Sequence, residues 1–195
     1  PGEIVAAALE SFAANGFANT RLEDVAARAG VSKGTVYLYF SGKEELFKAV
    51  IRETLLPNLA FAEVQLTHAE GTAVELLEQF LRRIAHLMTQ TSLGAIPKLI
   101  LTEVANFPDL AKFYAEEVGL RAMRMFGALL ERGVAEHELR RFDPVLMAPA
   151  IMAPVLMLSL WRNNLEPHVD SKIDPEAFID MYLDVLLNGL REKGE

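Results

Sequence analysis

Residues 20–43 read TRLEDVAARAGVSKGTVYLYFSGK, and this stretch decides the fold. Its first half carries apolar residues at i, i+3, i+4 and i+7, which is the spacing of one face of a short helix: Leu22, Val25, Ala26 and Ala29. Gly30 lies where that helix should end, because glycine enters the left-handed backbone region without strain.

A second short helix follows the glycine after a single residue. Ser32 can cap it, and Val36 and Phe40 share one of its faces. Two short helices around a tight glycine turn are the sequence form of a helix-turn-helix, although a hairpin inside a larger bundle gives the same pattern. The outward face carries donors and flat rings, and a phosphate-lined groove would accept it: Lys33, Gly34, Thr35, Tyr37 and Tyr39.

Capping boxes are predicted at two helix starts in this region. Thr20 with Glu23 would cap the first short helix, and Ser41 with Glu44 would cap the helix that follows the second.

Three motifs here resemble the DNA-binding domain of the tetracycline-repressor (TetR) family of transcriptional regulators. They are the Gly30-Val31-Ser32 turn, the Tyr37-Leu38-Tyr39-Phe40 end of the second helix, and Lys43-Glu44-Glu45-Leu46 opening the next. The chain departs from the family at Thr20-Arg21, where members often have two threonines. The resemblance implies that these residues contact DNA: Thr20, Arg21, Ser32, Lys33, Gly34, Thr35, Tyr37, Tyr39 and Lys43.

The composition is that of a soluble globular protein. The 195 residues are 51% hydrophobic and 24% charged, which is enough chain for one large or two small domains. The net charge is −8, and residues 1–50 hold five Lys/Arg and six Asp/Glu, so 51–195 carry the other −7. DNA affinity must therefore come from a few placed cations and backbone N–H groups.

The remaining periodicity predicts an all-α protein of about nine helices. We expect a three-helix domain over 1–50 containing the helix-turn-helix, and a larger ligand-binding and dimerisation domain over 51–195, with the boundary inside the fourth helix. Pro57 should kink or end that helix. Further helices are expected over 3–14, 72–91, 99–107 and 109–135, and after the Asp-Pro pairs at 143–144 and 174–175.

The stretch 144–161, PVLMAPAIMAPVLMLSLW, has no charge. Its length is that of a marginal membrane span, but no second span and no flanking Lys/Arg cluster accompany it. A helix that is apolar on every side is expected to be buried on every side, here partly against a second copy of the chain. Together with the last helix it predicts a four-helix homodimer interface: Leu156, Leu160, Phe178, Ile179, Tyr182, Leu183, Leu186 and Leu187.

The resemblance places a small effector in the C-terminal domain. Met and aromatic residues at helical spacing are abundant there, which favours an apolar or amphipathic ligand, although such residues are more often plain core than pocket. Three polar residues near them, Glu103, Asn106 and Arg124, could orient a polar end. The candidate ligand-binding residues are Phe61, Met88, Glu103, Asn106, Phe107, Tyr114, Phe126, Met157 and Trp161.

No catalytic or metal-binding pattern is evident. The chain has no cysteine, and its histidines, at 68, 86, 137 and 168, show no metal-ligand spacing. The sequence therefore predicts no enzyme, cofactor or metal, but a cytoplasmic homodimeric repressor that a small effector releases from a palindromic operator in double-stranded DNA. The alternative is an all-helical protein–protein adaptor without DNA binding.

Overall fold

The computed structural model describes residues 1–68, 70–103 and 106–191, except for the side chains of residues 67 and 68, and this part of the chain is all-α. Nine helices account for it. The first three are α1 (Gly2–Asn15), α2 (Leu22–Arg28) and α3 (Lys33–Tyr39). Helix α4 consists of Lys43–Val50, a π-helical turn Ile51–Leu55, and Leu56–His68.

The remaining helices form the C-terminal part. Helix α5 is Ala73–Gln90, and a 3-10 turn Ser92–Ala95 leads into α6 (Ile96–Glu103). The helix expected over 99–107 is therefore described only as far as Glu103, because 104–105 lie outside the described residues. The last three helices are α7 (Pro108–Tyr114, a π turn Ala115–Gly119, Leu120–Ala135), α8 (Pro144–Leu160, extended by Trp161–Leu165 and Glu166–His168) and α9 (Pro175–Leu190).

Three predicted helix caps are confirmed. Ser32 accepts a hydrogen bond from the Thr35 N–H at 3.1 Å. Asp143 and Asp174 each precede a proline and accept from the N–H two residues on, at 2.9 and 3.1 Å. These side chains satisfy N–H groups that have no partner inside a helix, so they fix where α3, α8 and α9 begin.

Both predicted capping boxes are wrong. Helix α2 begins one residue later than expected, and Asp24 rather than Glu23 accepts from the backbone N–H before the helix, that of Arg21, at 3.4 Å. Helix α4 begins after Gly42 without a side-chain cap, so Ser41 does not cap it.

Helix α4 does not end at Pro57. The irregular turn comes just before it, where the Leu56 N–H bonds to the Ile51 carbonyl five residues back. A π turn of this kind shifts the hydrogen-bond register of the ladder, and the helix then continues past a residue that has no N–H to donate. One helical rod therefore runs from Lys43 to His68.

Two hydrophobic cores organise the molecule. One is built from α1–α3 and the first half of α4, and it also includes residues beyond position 55: Met88, Leu93, Ile96, Leu99, Leu110 and Val118. The other joins α5, α8, α9 and the second half of α7. The N-terminal helices thus share their core with the end of α5, with α6 and with the start of α7.

Helix α8 is only half covered by its own chain. Ile151, Val155 and Leu158 are fully buried, but Val145 and Leu146 are about 70% exposed. By length and composition, Pro144–His168 is the one described helix that could cross a membrane, a test that core helices of soluble proteins also pass. The expectation of burial on every side is therefore not met within a single chain.

Candidate DNA-facing helix and effector cavity

The turn between α2 and α3 has the predicted geometry. Gly30 has φ +68°, a left-handed conformation that a side chain would strain. Val36 and Phe40 are buried beneath α3, so its opposite face points to solvent. The predicted contact residues Lys33, Gly34, Tyr37 and Tyr39 are all exposed on this helix.

Sequence reasoning missed Leu38, which is 77% exposed on the same helix. It lies four residues after Gly34, so helical spacing places it on the outward face. An apolar side chain there can contact the methyl group of thymine in a major groove.

Lys33 is not free in this structure. Its ammonium is ion-paired with Glu23 of α2 and lies 5.6 Å from the centre of the Tyr37 ring. The hydrogen bond with Lys33 lowers the pKa of Glu23 and raises that of Lys33. Both groups are well exposed, so nucleic acid can replace the carboxylate at little cost.

The candidate phosphate contacts need one correction. The Thr20 hydroxyl is buried and donates to the backbone carbonyls of Gly16 (2.7 Å) and Ser11 (3.1 Å), so that side chain cannot contact DNA in this conformation. Its neighbour Arg21 is exposed at the start of α2, where its charge is available.

Lys43 is partly structural. Its ammonium donates to the Ala18 carbonyl at 2.7 Å and lies 4.7 Å from the centre of the Phe17 ring. Partial burial lowers the pKa of Lys43. An ammonium has three donors, so this contact leaves others for a phosphate.

An apolar cavity of about 230 Å³ lies between α4, α5, α7 and α8. Its walls carry few polar side chains, chiefly Asn58 and Tyr114. The Asn58 amide donates to the Thr54 carbonyl at 2.8 Å, whereas the Tyr114 hydroxyl has no hydrogen-bond partner among the described residues. Burial raises the pKa of Tyr114, so its hydroxyl stays neutral and can donate to a ligand.

Three of the nine predicted ligand residues line this cavity: Met88, Tyr114 and Phe126. The other six do not line it. Phe61 is turned outward beneath the Arg83 guanidinium, Phe107 packs edge-on against Phe17, and Glu103 bonds to Ala18. Three more do not belong to the lining: Asn106, Met157 and Trp161. Composition finds the right residue types, but only the rotational phase of each helix decides which of them face inward.

The sequence contained a signal for the cavity wall formed by α4, which the prediction did not include. Residues at i, i+3, i+4 and i+7 of the second half of α4 line the cavity, namely Leu55, Asn58, Leu59 and Ala62. This is the pattern of one helix face, but it spans Pro57, where the helix was expected to kink or end.

The predicted dimer face needs a similar correction. Ile179, Leu183 and Leu187 are buried in the subunit's own core, because they face inward on α9. Half-buried or exposed positions remain available on both helices: Leu156, Leu160, Phe178, Tyr182 and Leu186. Sequence reasoning missed Met181 and Val185, which are 55% and 66% exposed on α9.

The Tyr182 hydroxyl fixes α9 against α8. It donates to the Ile151 carbonyl at 2.6 Å, and burial raises the pKa of Tyr182 to about 12. Among the described residues, no group of three or more His, Cys, Asp or Glu side chains is placed to hold a metal ion.

Comparisons with known proteins agree with this arrangement. Residues 4–50 match the family model of the bacterial regulatory proteins of the tetR family, and residues 75–183 match the C-terminal domain of AefR-like transcriptional repressors. The HTH-type transcriptional regulator RutR of Escherichia coli K12 is 50% identical over 204 residues, covering 97% of this chain and 90% of RutR.

Two solved structures share the fold over nearly their whole length. The transcriptional regulator FadR from Bacillus subtilis in complex with stearoyl-CoA has a TM-score of 0.76 at 22% identity, covering 96% of this chain and 98% of its own. The ketosteroid transcriptional regulator KstR2 of Mycobacterium tuberculosis has a TM-score of 0.76 at 21% identity, covering 98% and 95%. The chain belongs to the tetR family of bacterial regulatory proteins.

Proposed function

We propose that this protein is a transcriptional repressor that a small apolar or amphipathic effector releases from a palindromic operator. One observation carries the proposal. Helix α4 packs Leu46 and Phe47 into the same core as Val36 of the recognition helix α3. The same helix gives Leu59 and Ala62 to the apolar cavity. A molecule in the cavity therefore touches a helix that shares its core with the DNA-facing helix.

The boundary between the DNA-binding and the effector-binding parts of the chain lies within α4. We assign DNA binding to residues 1–50 and effector binding with dimerisation to 51–195. The π turn Ile51–Leu55 lies at this boundary, and π turns in helices frequently mark functional positions.

On the DNA side, the roles divide between reading and positioning. Lys33, Thr35 and Tyr37 are assigned to base edges, and Leu38 to an apolar base contact. Around them, Arg21, Tyr39 and Lys43 are assigned to phosphates, with Ser32 and Gly34 at the start of α3 near the backbone. Contacts to base edges carry sequence information, whereas phosphate contacts fix register and affinity.

The chemistry of the cavity supports an effector that is mainly apolar. Its walls are aliphatic and aromatic, and Tyr114 supplies one unpartnered hydroxyl. The two solved structures also support an apolar effector, because the FadR structure holds stearoyl-CoA and KstR2 is a ketosteroid transcriptional regulator. Pockets of this kind use apolar walls for affinity and a few polar groups for orientation.

Release requires two states that differ at the DNA-binding heads. An effector shifts their balance only by binding one state more tightly than the other. Filling the cavity beside the second half of α4 would tilt or slide that rod, and the two recognition helices of a dimer would then lose the spacing of successive major grooves.

A homodimer completes this arrangement. Exposed apolar side chains of α8 and α9 supply a candidate interface, which a second copy would cover as a four-helix contact. Such coverage also accounts for the uncharged stretch 144–161 of α8 in a protein we place in the cytoplasm.

The relatives are transcriptional regulators rather than enzymes, and family membership disfavours an adaptor without DNA binding. The deciding experiment selects duplexes from a random library with the purified protein. We expect enrichment of a pseudo-palindrome whose half-sites lie one helical turn, or a multiple, apart. Retention of no duplex above the level of random DNA would contradict the proposal and favour the adaptor.

A further inference from the structure

Helices α4 and α7 run side by side at one wall of the cavity. Ala62 of α4 and Ala122 of α7 both line the cavity at this seam. Consecutive residues of a helix are about 100° apart, so Glu63 and Arg121 turn away from the cavity. They meet on the outer side of the seam in a bidentate ion pair, with Arg121 Nε and Nη2 at 2.6 and 2.5 Å from the two carboxylate oxygens.

The outer side of the seam is a groove of about 520 Å³ with a cationic lining. Helix α7 contributes Arg121, Arg124 and Arg132 to it, and the one carboxylate in the lining is that of Glu63. Residues 51–195 carry a net charge of −7, so three arginines on one groove oppose the general charge of this part of the chain.

The three arginines differ in how many hydrogen-bond and ion-pair partners they have. Arg132 bonds to Glu136 at 3.0 Å and to the Gly71 carbonyl at 2.7 Å. Arg124 is exposed, and no carboxylate of the described residues lies within 4 Å of its guanidinium. The hydrogen bond from Arg121 lowers the pKa of Glu63, and the charge of Arg124 adds to this effect. The groove thus already contains one anion, the Glu63 carboxylate, which is paired with Arg121 while Arg124 has no carboxylate partner among the described residues.

We propose that Arg121 and Arg124 bind the anionic head group of the effector, which replaces the Glu63 carboxylate, while the apolar chain passes between Ala62 and Ala122 into the cavity. The inference rests on the proposed function and narrows it to a single-chain amphiphile with a carboxylate or phosphate head. Exchanging one anion for another keeps Arg121 paired and gives Arg124 a partner, and the planar fork of a guanidinium suits both heads.

The test titrates three probes of equal chain length into the full-length protein by calorimetry: decanoate, decyl phosphate and decanol. The variants are Arg121→Gln, Arg124→Gln and Glu63→Gln, with Arg141→Gln as the control, because Arg141 is an exposed arginine outside the groove and the cavity. We expect wild type to bind at least one anionic probe about tenfold or more tightly than decanol, the size of one charge-assisted hydrogen bond.

The arginine variants should lose that preference and retain decanol binding, whereas Glu63→Gln should bind the anions more tightly because the competing carboxylate is gone. Arg141→Gln should match wild type. The preferred anion identifies the head group. If Arg121→Gln fails to fold, Arg124→Gln still decides, since it breaks no ion pair.

Equal affinity for all three probes, unchanged in both arginine variants, would overturn the head-group site and leave the apolar effector cavity standing. Binding of none of the probes would overturn both this inference and the effector part of the proposed function.

Discussion

The carboxylate of Glu103 accepts a hydrogen bond from the backbone N–H of Ala18 at 3.2 Å, across 85 residues of chain. The carbonyl of the same Ala18 accepts from Lys43 at 2.7 Å, and the neighbouring Phe17 ring packs edge-on against Phe107 with 4.7 Å between centres. The loop that leads into the helix-turn-helix is therefore held by α6 and by the segment before α7. This contact joins the C-terminal part to the N-terminal helices in addition to α4 and the shared core.

The first prediction concerns this loop. Glu103→Ala should reduce the factor by which an effector weakens operator binding, because the loop before α2 is then released from α6. Effector affinity of the DNA-free protein should stay unchanged, since Glu103 lies outside the cavity. Operator titrations with and without decanoate measure the factor.

Glu3→Ala makes the same charge change in the DNA-binding domain without a side-chain contact to the loop, and should retain the wild-type factor. An undiminished factor in Glu103→Ala would show that the contact between Glu103 and the loop does not carry the coupling.

The second prediction separates positioning from reading on the DNA. Arg21→Gln should weaken binding to operator and random duplexes about equally and reduce the salt slope by about one phosphate, because its charge sits at the start of α2. Thr35→Val should instead reduce the ratio between operator and random DNA. Fluorescence anisotropy at several salt concentrations distinguishes them, and identical losses on every duplex from both variants would refute the assignment.

The third prediction concerns the dimer. Val185→Asp places a charge on the exposed face of α9, and should give a folded monomer that binds operator weakly. Leu183→Asp places it in the subunit's own core, so the chain should fail to fold instead of dissociating. Sedimentation and circular dichroism of the two variants test this contrast. A wild-type monomer at micromolar concentration would contradict the interface.

The fourth prediction concerns packing between α5 and α8. A Cβ on Gly94 would lie 2.1 Å from the Met88 carbonyl oxygen and 2.6 Å from the Asn163 amide nitrogen. The Met88 carbonyl also accepts from the buried Ser159 hydroxyl at 3.1 Å, so little room exists to relax.

Gly94→Ala should therefore lower the free energy of unfolding by about 1–3 kcal/mol, measured by urea denaturation. Gly127→Ala is the matched control, because nothing lies within 4 Å of its added Cβ. As a mid-helix glycine it should gain up to about 1 kcal/mol on replacement by alanine. Equal effects of both substitutions would show that α8 does not pack tightly at Gly94.

Local signals in the sequence predicted the helix-turn-helix well. The turn at Gly30 and the cap at Ser32 depend on neighbouring residues only, and the spacing of Val36 and Phe40 marks one face of α3, so a single sequence contains these signals. The Asp-Pro starts of α8 and α9 were predictable for the same reason. Thr20 shows the limit, because its hydroxyl is used by carbonyls of α1 and the following turn, a tertiary contact that overrides a capping pattern.

The effector cavity was only partly predictable. Met88, Tyr114 and Phe126 were found by residue type, but the wall from α4 was missed because a proline was expected to interrupt the helix. The helix continues through Pro57 after the π turn, so Leu59 and Ala62 lie on the face that lines the cavity. Likewise, Leu183 and Val185 are both apolar on α9, and only tertiary packing decides which one faces solvent.

The central claim is that cavity occupancy and operator binding oppose each other. Linkage requires that operator DNA weaken effector binding by the same factor by which the effector weakens operator binding, typically about 5- to 150-fold. The direct test is calorimetry of decanoate with the wild-type protein, once free and once saturated with the selected operator duplex. The account predicts weaker binding to the DNA complex, by the factor found in operator titrations. Equal decanoate affinity with and without the operator would contradict it.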